Sequence, residues 1–307
     1  MIASQAIGGS SILPDRMVKF LTGQGLRHEF DSRIPHMLII KEQKIDEFLE
    51  KLKEKFEVFD VREDKLLFKQ YFFPAEERIF PVSKPPKKFV VFGLDPLDLE
   101  ALTQLDEIMS KPKEDFYYWQ RRKQALVIGI EKDMKKLAKD YGEFLEEGNL
   151  TETKVSDWTN SMRQLLLDSE LLANAVEWSR EHKIWEELAE KCLGCGICTY
   201  VCPLCYCFST EDSVGLDNKC ARCRKWDACT LPGFAKIAGG HDFRPTLKER
   251  YYNWFYHKFV RAYKEYGKSQ CVGCERCRNQ CPAKIDILEV LKIVLDDYGK
   301  YLSSQKS

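Results

Sequence analysis

A chain of 307 residues is long enough for two domains of ordinary size, each with its own apolar core, and a single tiny domain is excluded. Lysine plus arginine equals aspartate plus glutamate at 48 each, so no net field draws in nucleic acid or an anionic membrane surface. All 13 cysteines fall between Cys192 and Cys281.

Residues 1–35 are rich in Gly, Ser and isolated apolar residues without a period, and are expected to form an irregular arm. From His36 the pattern changes. The run MLII is followed by the amphipathic IDEFLEKLKEKF, then by EVFDV and KLLFKQY, which alternate like strands. KFVVFGL at 88–94 and ALVIGI at 125–130 read as buried strands, each followed by a helical pattern. Asp95-Pro96 suits the start of the first of those helices, with aspartate as cap and proline at the first helical position. Residues 36–148 are therefore expected to form a small α/β domain that ends near Gly148-Asn149.

Residues 152–190 read as two helices that lead into the first cysteine run. A long helix follows over PTLKERYYNWFYHKFVRAYKEYG, with Pro245 near its start and Gly267 near its end, and a last helix follows Pro282. The predicted fold class is α+β: the small α/β domain, then an α-helical ferredoxin-type dicluster domain over 149–307.

The chemistry sits in an internal repeat. Cys192-Leu-Gly-Cys195-Gly-Ile-Cys198-Thr-Tyr-Val-Cys202-Pro203 recurs as Cys271-Val-Gly-Cys274-Glu-Arg-Cys277-Arg-Asn-Gln-Cys281-Pro282. Both fit C-x2-C-x2-C-x3-C-P, in which three closely spaced thiolates hold one cubane and the fourth, before proline, ligates the other cluster. Cluster I is expected on Cys192, Cys195, Cys198 and Cys281, and cluster II on Cys271, Cys274, Cys277 and Cys202, both of the 4Fe–4S type. Structural zinc also uses C-x2-C pairs, but tetrahedral zinc has no use for two strings of this form. The 68 residues between Cys202 and Cys271 replace the short hairpin of a compact ferredoxin, and point to the helical arrangement.

Cys205, Cys207, Cys220, Cys223 and Cys229 are left over, and four of them could hold a third metal, either a further iron–sulfur cluster or zinc; the alternative is a set of free thiols. Arg222, Arg224 and Lys225 lie among them, either as charge that stabilises a reduced cluster or as a solvated basic loop. The aromatic helix with Tyr251, Phe255, Phe259 and Tyr263 reads as a core face rather than a nucleic-acid platform. His241 in GGHDFRP reads as a cap or packing residue rather than a ligand, and there is no Ser/His/Asp set, P-loop or G-x-G-x-x-G fingerprint. Lacking a signal-peptide pattern or an 18-residue apolar run, the chain is expected to be soluble and cytoplasmic, without direct membrane insertion.

The stretches KCLGCGICTYVCPLCYCF, KWDACTLPGFAKIAGGHDFRPT and YGKSQCVGCERCRNQCPAKI resemble the iron–sulfur β subunit of cytoplasmic sulfhydrogenases and the related iron–sulfur subunit of anaerobic sulfite reductase, over roughly residues 36–300. That resemblance implies a protein without activity of its own, passing electrons between a flavin-containing partner that handles NAD(P)H and a catalytic hydrogenase or reductase subunit. Its C-P-x-C-x-C and W-D-x-C elements fall on Cys202, Cys205, Cys207, Trp226 and Cys229. The chain departs from the family at LDPLDLE and EKDMKK, where members carry extra cysteines, and at Cys220 and Cys223, which have no family counterpart. Two other readings stay open: a reaction centre at a third metal site, and a non-redox binding module folded around zinc.

Overall fold

The computed structural model of the chain describes residues 16–22, 38–40, 45–64, 67–131, 156–215 and 220–305. Its compact units interleave along the sequence: one takes residues 1–65, 86–96 and 122–154, the other 66–85, 97–121 and 155–307. The sequence reading sets boundaries at 35/36 and near 148, whereas segments 66–85 and 97–121 of the expected α/β domain group with the C-terminal elements.

The first unit is a mixed sheet of β1 (Arg16–Thr22), β2 (Leu38–Ile40), β3 (Glu57–Asp60), β5 (Phe89–Leu94) and β6 (Ala125–Glu131), in the order β2-β1-β6-β5-β3. Strand β5 lies parallel to both neighbours, which is why FVVFGL reads as a near-continuous apolar run, with five of its six residues buried. Helix α1 (Ile45–Lys53) has acidic residues in its first turn and basic ones in its last, as the helix dipole favours. Its Leu49 packs in the core formed by Val90, Phe92 and Ile128.

The expected irregular arm contains β1, which pairs antiparallel with β6 from Met17↔Glu131 to Thr22↔Leu126. Its partner lies more than a hundred residues away, so local composition carried no sign of it. The helical pattern expected after β6 lies outside the described residues.

In the second unit KLLFKQY is not a strand. After the short α2 (Val61–Asp64) of the first unit, residues 69–72 form a helical turn, α3 (Lys69–Phe72), with Phe68, Lys69, Phe72 and Phe73 buried. Strand β4 (Glu76–Phe80) follows, then α4 (Pro96–Ile108) and α5 (Phe116–Arg122). The region read as two helices holds three: α6 (Asp157–Leu166), α7 (Ser169–Trp178) and α8 (Ile184–Lys191). Ser156 and Asp168 cap the first two by accepting from Thr159 N and Leu171 N. The break comes at the 3₁₀ turn Ser179–Glu181, where the buried Trp185 indole donates to Ser179 O at 2.6 Å.

A single-turn helix α9 (Ile197–Tyr200) lies inside the first cysteine run. Strands β7 (Phe208–Val214) and β8 (Cys220–Trp226) then complete an antiparallel sheet, β4-β8-β7, that was not anticipated. The expected long helix runs through α10 (Leu247–Phe255), a π-helical stretch (Tyr256–Arg261) and α11 (Ala262–Tyr266). It opens on a capping box of Thr246 and Glu249 and ends at Gly267, whose φ of 70° is left-handed. The short α12 (Arg276–Asn279) and the long α13 (Ile287–Ser304), capped by Asp286, finish the chain. Met162, Leu172, Trp185, Trp254, Phe255 and Leu291 belong to the core these helices share. Among the described residues, no helix is long and apolar enough to cross a membrane.

The small sheet is locked by charge. Arg224 on β8, 2% exposed, donates to Glu77 Oε2 at 2.8 Å and Asp115 Oδ2 at 2.7 Å, and Arg121 donates to Glu77 Oε1 at 2.9 Å. Removing one partner of a buried ion pair leaves the other charge uncompensated. Glu77→Ala is therefore expected to cost about 3 kcal/mol, read as a lower urea midpoint of unfolding.

Candidate metal centre

The two cysteine runs share a backbone design. Gly194 and Gly273, at equivalent places, have φ of 62° and 70°; Gly196 and Glu275, also equivalent, have φ of 77° and 59° and open the single turns α9 and α12. At Gly196 space as well as conformation demands glycine, since an added Cβ would lie 2.8 Å from the Ala228 Cβ. At Glu275 the second run meets the same need with a side chain. Its carboxylate accepts from Thr159 Oγ1 at 2.9 Å and from the Ser156 hydroxyl, so the start of α6 fixes the loop.

These loops line two cavities. Cys192, Cys195, Cys198 and Cys281 line the first, together with Thr230, Tyr251 and Trp254. Cys202, Cys271, Cys274 and Cys277 line the second, together with Trp158 and Lys258. The first cavity thus receives three cysteines of the first run with Cys277 and Cys281 of the second, and the second cavity receives three of the second run with the last of the first. Cys277 and Ile287 line both, so the cavities share a wall. Backbone N–H groups approach the sulfurs: Gly194 N lies 3.4 Å from Cys192 Sγ and Ile285 N lies 3.4 Å from Cys281 Sγ.

The electrostatics fit an anionic sulfur-ligated guest. Burial raises the Cys192, Cys274 and Cys277 thiols, and pushes Cys198 and Cys271 up to about 12. Cys202 is held the other way, well below the usual thiol range, by the Cys205 thiol that donates to it and by Lys258 and Lys69. Lys258 Nζ sits 3.1 Å from Cys202 Sγ. Two donors that line the first cavity, Trp254 Nε1 and Thr230 Oγ1, are buried without a partner, which calls for an acceptor in that space. Sulfide-rich 4Fe–4S clusters supply such acceptors, and an all-thiolate donor set suits iron–sulfur chemistry.

Of the five remaining cysteines, Cys205, Cys207 and Cys229 lie near one another while Cys220 lies apart. Cys205 and Cys229 are buried, and the Cys207 and Cys229 side chains share a hydrogen bond. Cys220 pairs with Val214 at the far end of β8, six residues from Trp226, which pairs with Phe208. At the rise of a strand this separates Cys220 from the Cys207 end by roughly 20 Å. Among the described residues, no group of three or more His, Cys, Asp or Glu side chains could hold a single metal ion. The basic residues there are compensated: Arg224 by Glu77 and Asp115, Arg222 by Asp212, and Lys225 by Glu211. His241 is exposed and packs edge-on to Phe243.

Three residues that the sequence reading missed gather at the Cys202 turn. Lys69 Nζ donates to Cys202 O at 2.9 Å and Cys205 O at 2.8 Å, the Gln270 amide donates to Leu204 O, and Lys258 reaches the Cys202 sulfur. A lysine four residues after Trp254, on the face that carries Phe255 and Phe259, was the one available signal.

Residues 191–285 match the family described as a 4Fe-4S dicluster domain. Sulfhydrogenase 2 subunit beta of Pyrococcus furiosus is 29% identical over an alignment of 272 positions that covers 73% of this chain and 81% of that protein, and this bears out the resemblance to that iron–sulfur β-subunit family. No solved structure matches the chain significantly.

Gly196→Ala is expected to cost at least about 1–2 kcal/mol from the left-handed conformation alone, and to lower bound iron and sulfide per chain. Because thiols raised by burial must lose protons to become ligands, cluster uptake releases protons and weakens as pH falls. Reconstitution of the apoprotein with ferrous iron and sulfide is expected to be tighter at about pH 9 than at about pH 7, measured as iron retained after gel filtration.

Proposed function

We propose that the chain is an electron-transfer subunit that holds two 4Fe–4S clusters, one on Cys192, Cys195, Cys198 and Cys281 and the other on Cys271, Cys274, Cys277 and Cys202. The observation that carries this reading is the crossed lining of the two cavities with their common wall at Cys277. When bound, such clusters supply one-electron oxidation and reduction without proton chemistry at carbon.

The chain's own residues hold and insulate. Gly194 and Ile285 turn their N–H groups on ligand sulfurs, while Tyr251, Trp254 and Ile287 exclude water from the cavity walls. Cys195 is exposed and Leu193 beside it is 69% exposed, so the first cavity has a face that an electron-exchange partner can approach. The similarity to one component of a sulfhydrogenase supports partners of the same kind: a flavin-containing NAD(P)H subunit on one side and a catalytic hydrogenase or reductase subunit on the other, in the cytoplasm.

Anaerobic preparation is expected to give about eight irons and eight sulfides per chain. In Cys202→Ala about half of the iron should be lost, and the cluster that survives should be the one whose signal disappears in Cys192→Ala. Zinc without sulfide would replace the relay with a structural metal module, and loss of the same cluster in both variants would break the crossed assignment.

A further inference from the structure

The π-helical stretch Tyr256–Arg261 interrupts an otherwise regular helix, and such bulges commonly mark functional positions. Here the wide turn does two things. It leaves the Lys258 carbonyl to accept from Gln270 N at 2.8 Å, and it goes with a Lys258 side chain that is 3% exposed while Phe259 and Val260 stay in the core. Lys258 Nζ has three neighbours: Cys202 Sγ at 3.1 Å, Gln270 O at 3.2 Å and the Trp254 ring at 5.2 Å from its centroid.

A second buried lysine flanks the same turn. Lys69, 2% exposed, donates to the carbonyls of Cys202 and Cys205 and lies 4.3 Å from the Trp226 ring centroid. Among the described residues, neither ammonium meets a carboxylate, unlike Arg224, which has two. Buried charge without a counter-charge is expensive, so these two lysines call for an anion beside them. The acceptor within reach is the sulfur of Cys202, the one second-cavity cysteine contributed by the other run.

The first cavity is built differently. Its sulfurs receive neutral N–H groups from Gly194 and Ile285, whereas those of the second cavity receive, besides backbone N–H groups of Gly273 and Arg276, the charged side chains of Lys258 on Cys202 and Arg276 on Cys274. The nearby Arg250 spends its N–H groups on the carbonyls of Thr230, Arg244 and Pro245. Charge-assisted hydrogen bonds are roughly twice as strong as neutral ones. A positive charge on a ligand sulfur also stabilises the reduced state more than the oxidised state, because the reduced cluster carries one more negative charge.

We propose that Lys258, supported by Lys69, is a positioning residue that raises the reduction potential of the cluster held by Cys202, Cys271, Cys274 and Cys277. This rests on the reading that the second cavity holds a 4Fe–4S cluster.

The test is an anaerobic redox titration of the full chain followed by EPR, with the second-cavity signal identified as the one missing in Cys202→Ala. In Lys258→Met the midpoint of that signal should move to lower potential while the other stays in place, and Lys258→Arg should restore most of the shift. A Lys258→Met protein with full iron and an unmoved midpoint overturns the proposal, as does Lys258→Arg shifting as far as Lys258→Met. Where Lys258→Met does not retain the cluster, Lys69→Met carries the test: a smaller shift in the same direction supports the proposal and no shift overturns it. Wild-type protein without sulfide would remove the cluster reading itself, and the inference with it, before any midpoint is measured.

Discussion

Each cysteine run delivers its last thiol into the cavity that the other run lines, and this exchange constrains the second unit throughout. Sixty-eight residues separate Cys202 from Cys271, yet both line one cavity, so the chain between them must leave and come back to the same place. The helix over 247–266 makes the return, with its start fixed by the Thr246–Glu249 capping box and its end by the left-handed Gly267. The Cys202 turn, the point of greatest demand, is held on its carbonyls by Lys69 and Gln270 and on its sulfur by Lys258. The polar groups there are satisfied by buried side chains because water cannot reach them.

The charge distribution follows from the same constraint. Buried thiols resist ionisation, and most of those lining the two cavities are raised by burial. Cys202 is held low instead, first by the Cys205 thiol that donates to it and then by Lys258, which touches its sulfur, and Lys69. Elsewhere in the unit the buried Arg224 is matched with Glu77 and Asp115, and the half-buried Arg276 with Asp98 through two bonds of 2.6 and 2.8 Å. An unmatched pair of lysines beside one sulfur therefore stands out against a background of compensation.

How much of this could be read in the sequence depended on whether the cause was local. The two cysteine strings, the Asp95-Pro96 helix start and the buried strands at 89–94 and 125–131 announce themselves by spacing or by a continuous apolar run. The strand at 16–22 does not, since its state is set by pairing with a distant partner. KLLFKQY alternates like a strand but turns into a helix, where Lys69 meets carbonyls more than 130 residues later. The β4-β8-β7 sheet was hidden for a similar reason: β8, CARCRKW, carries cysteines and charges that suggested a metal loop, and only its pairing with 76–80 reveals a strand. Equivalent backbone conformations at Gly196 and Glu275 were hidden too, because the second copy of the repeat uses a residue that seldom adopts a positive φ.

The interleaving of the two units bears on how such a chain could be inherited or borrowed. The matched dicluster segment spans 191–285, but supports for it come from outside that span: Asp98 holds Arg276, Glu107 holds Lys268 at 2.7 Å, and Lys69 holds the turn after Cys202. A recombination event that transplanted the cysteine-rich portion alone would carry the ligands and leave their buttresses behind. The second unit's own upstream segments, 66–85 and 97–121, thus belong to the frame that holds the cysteines, and a working transplant would have to bring them along.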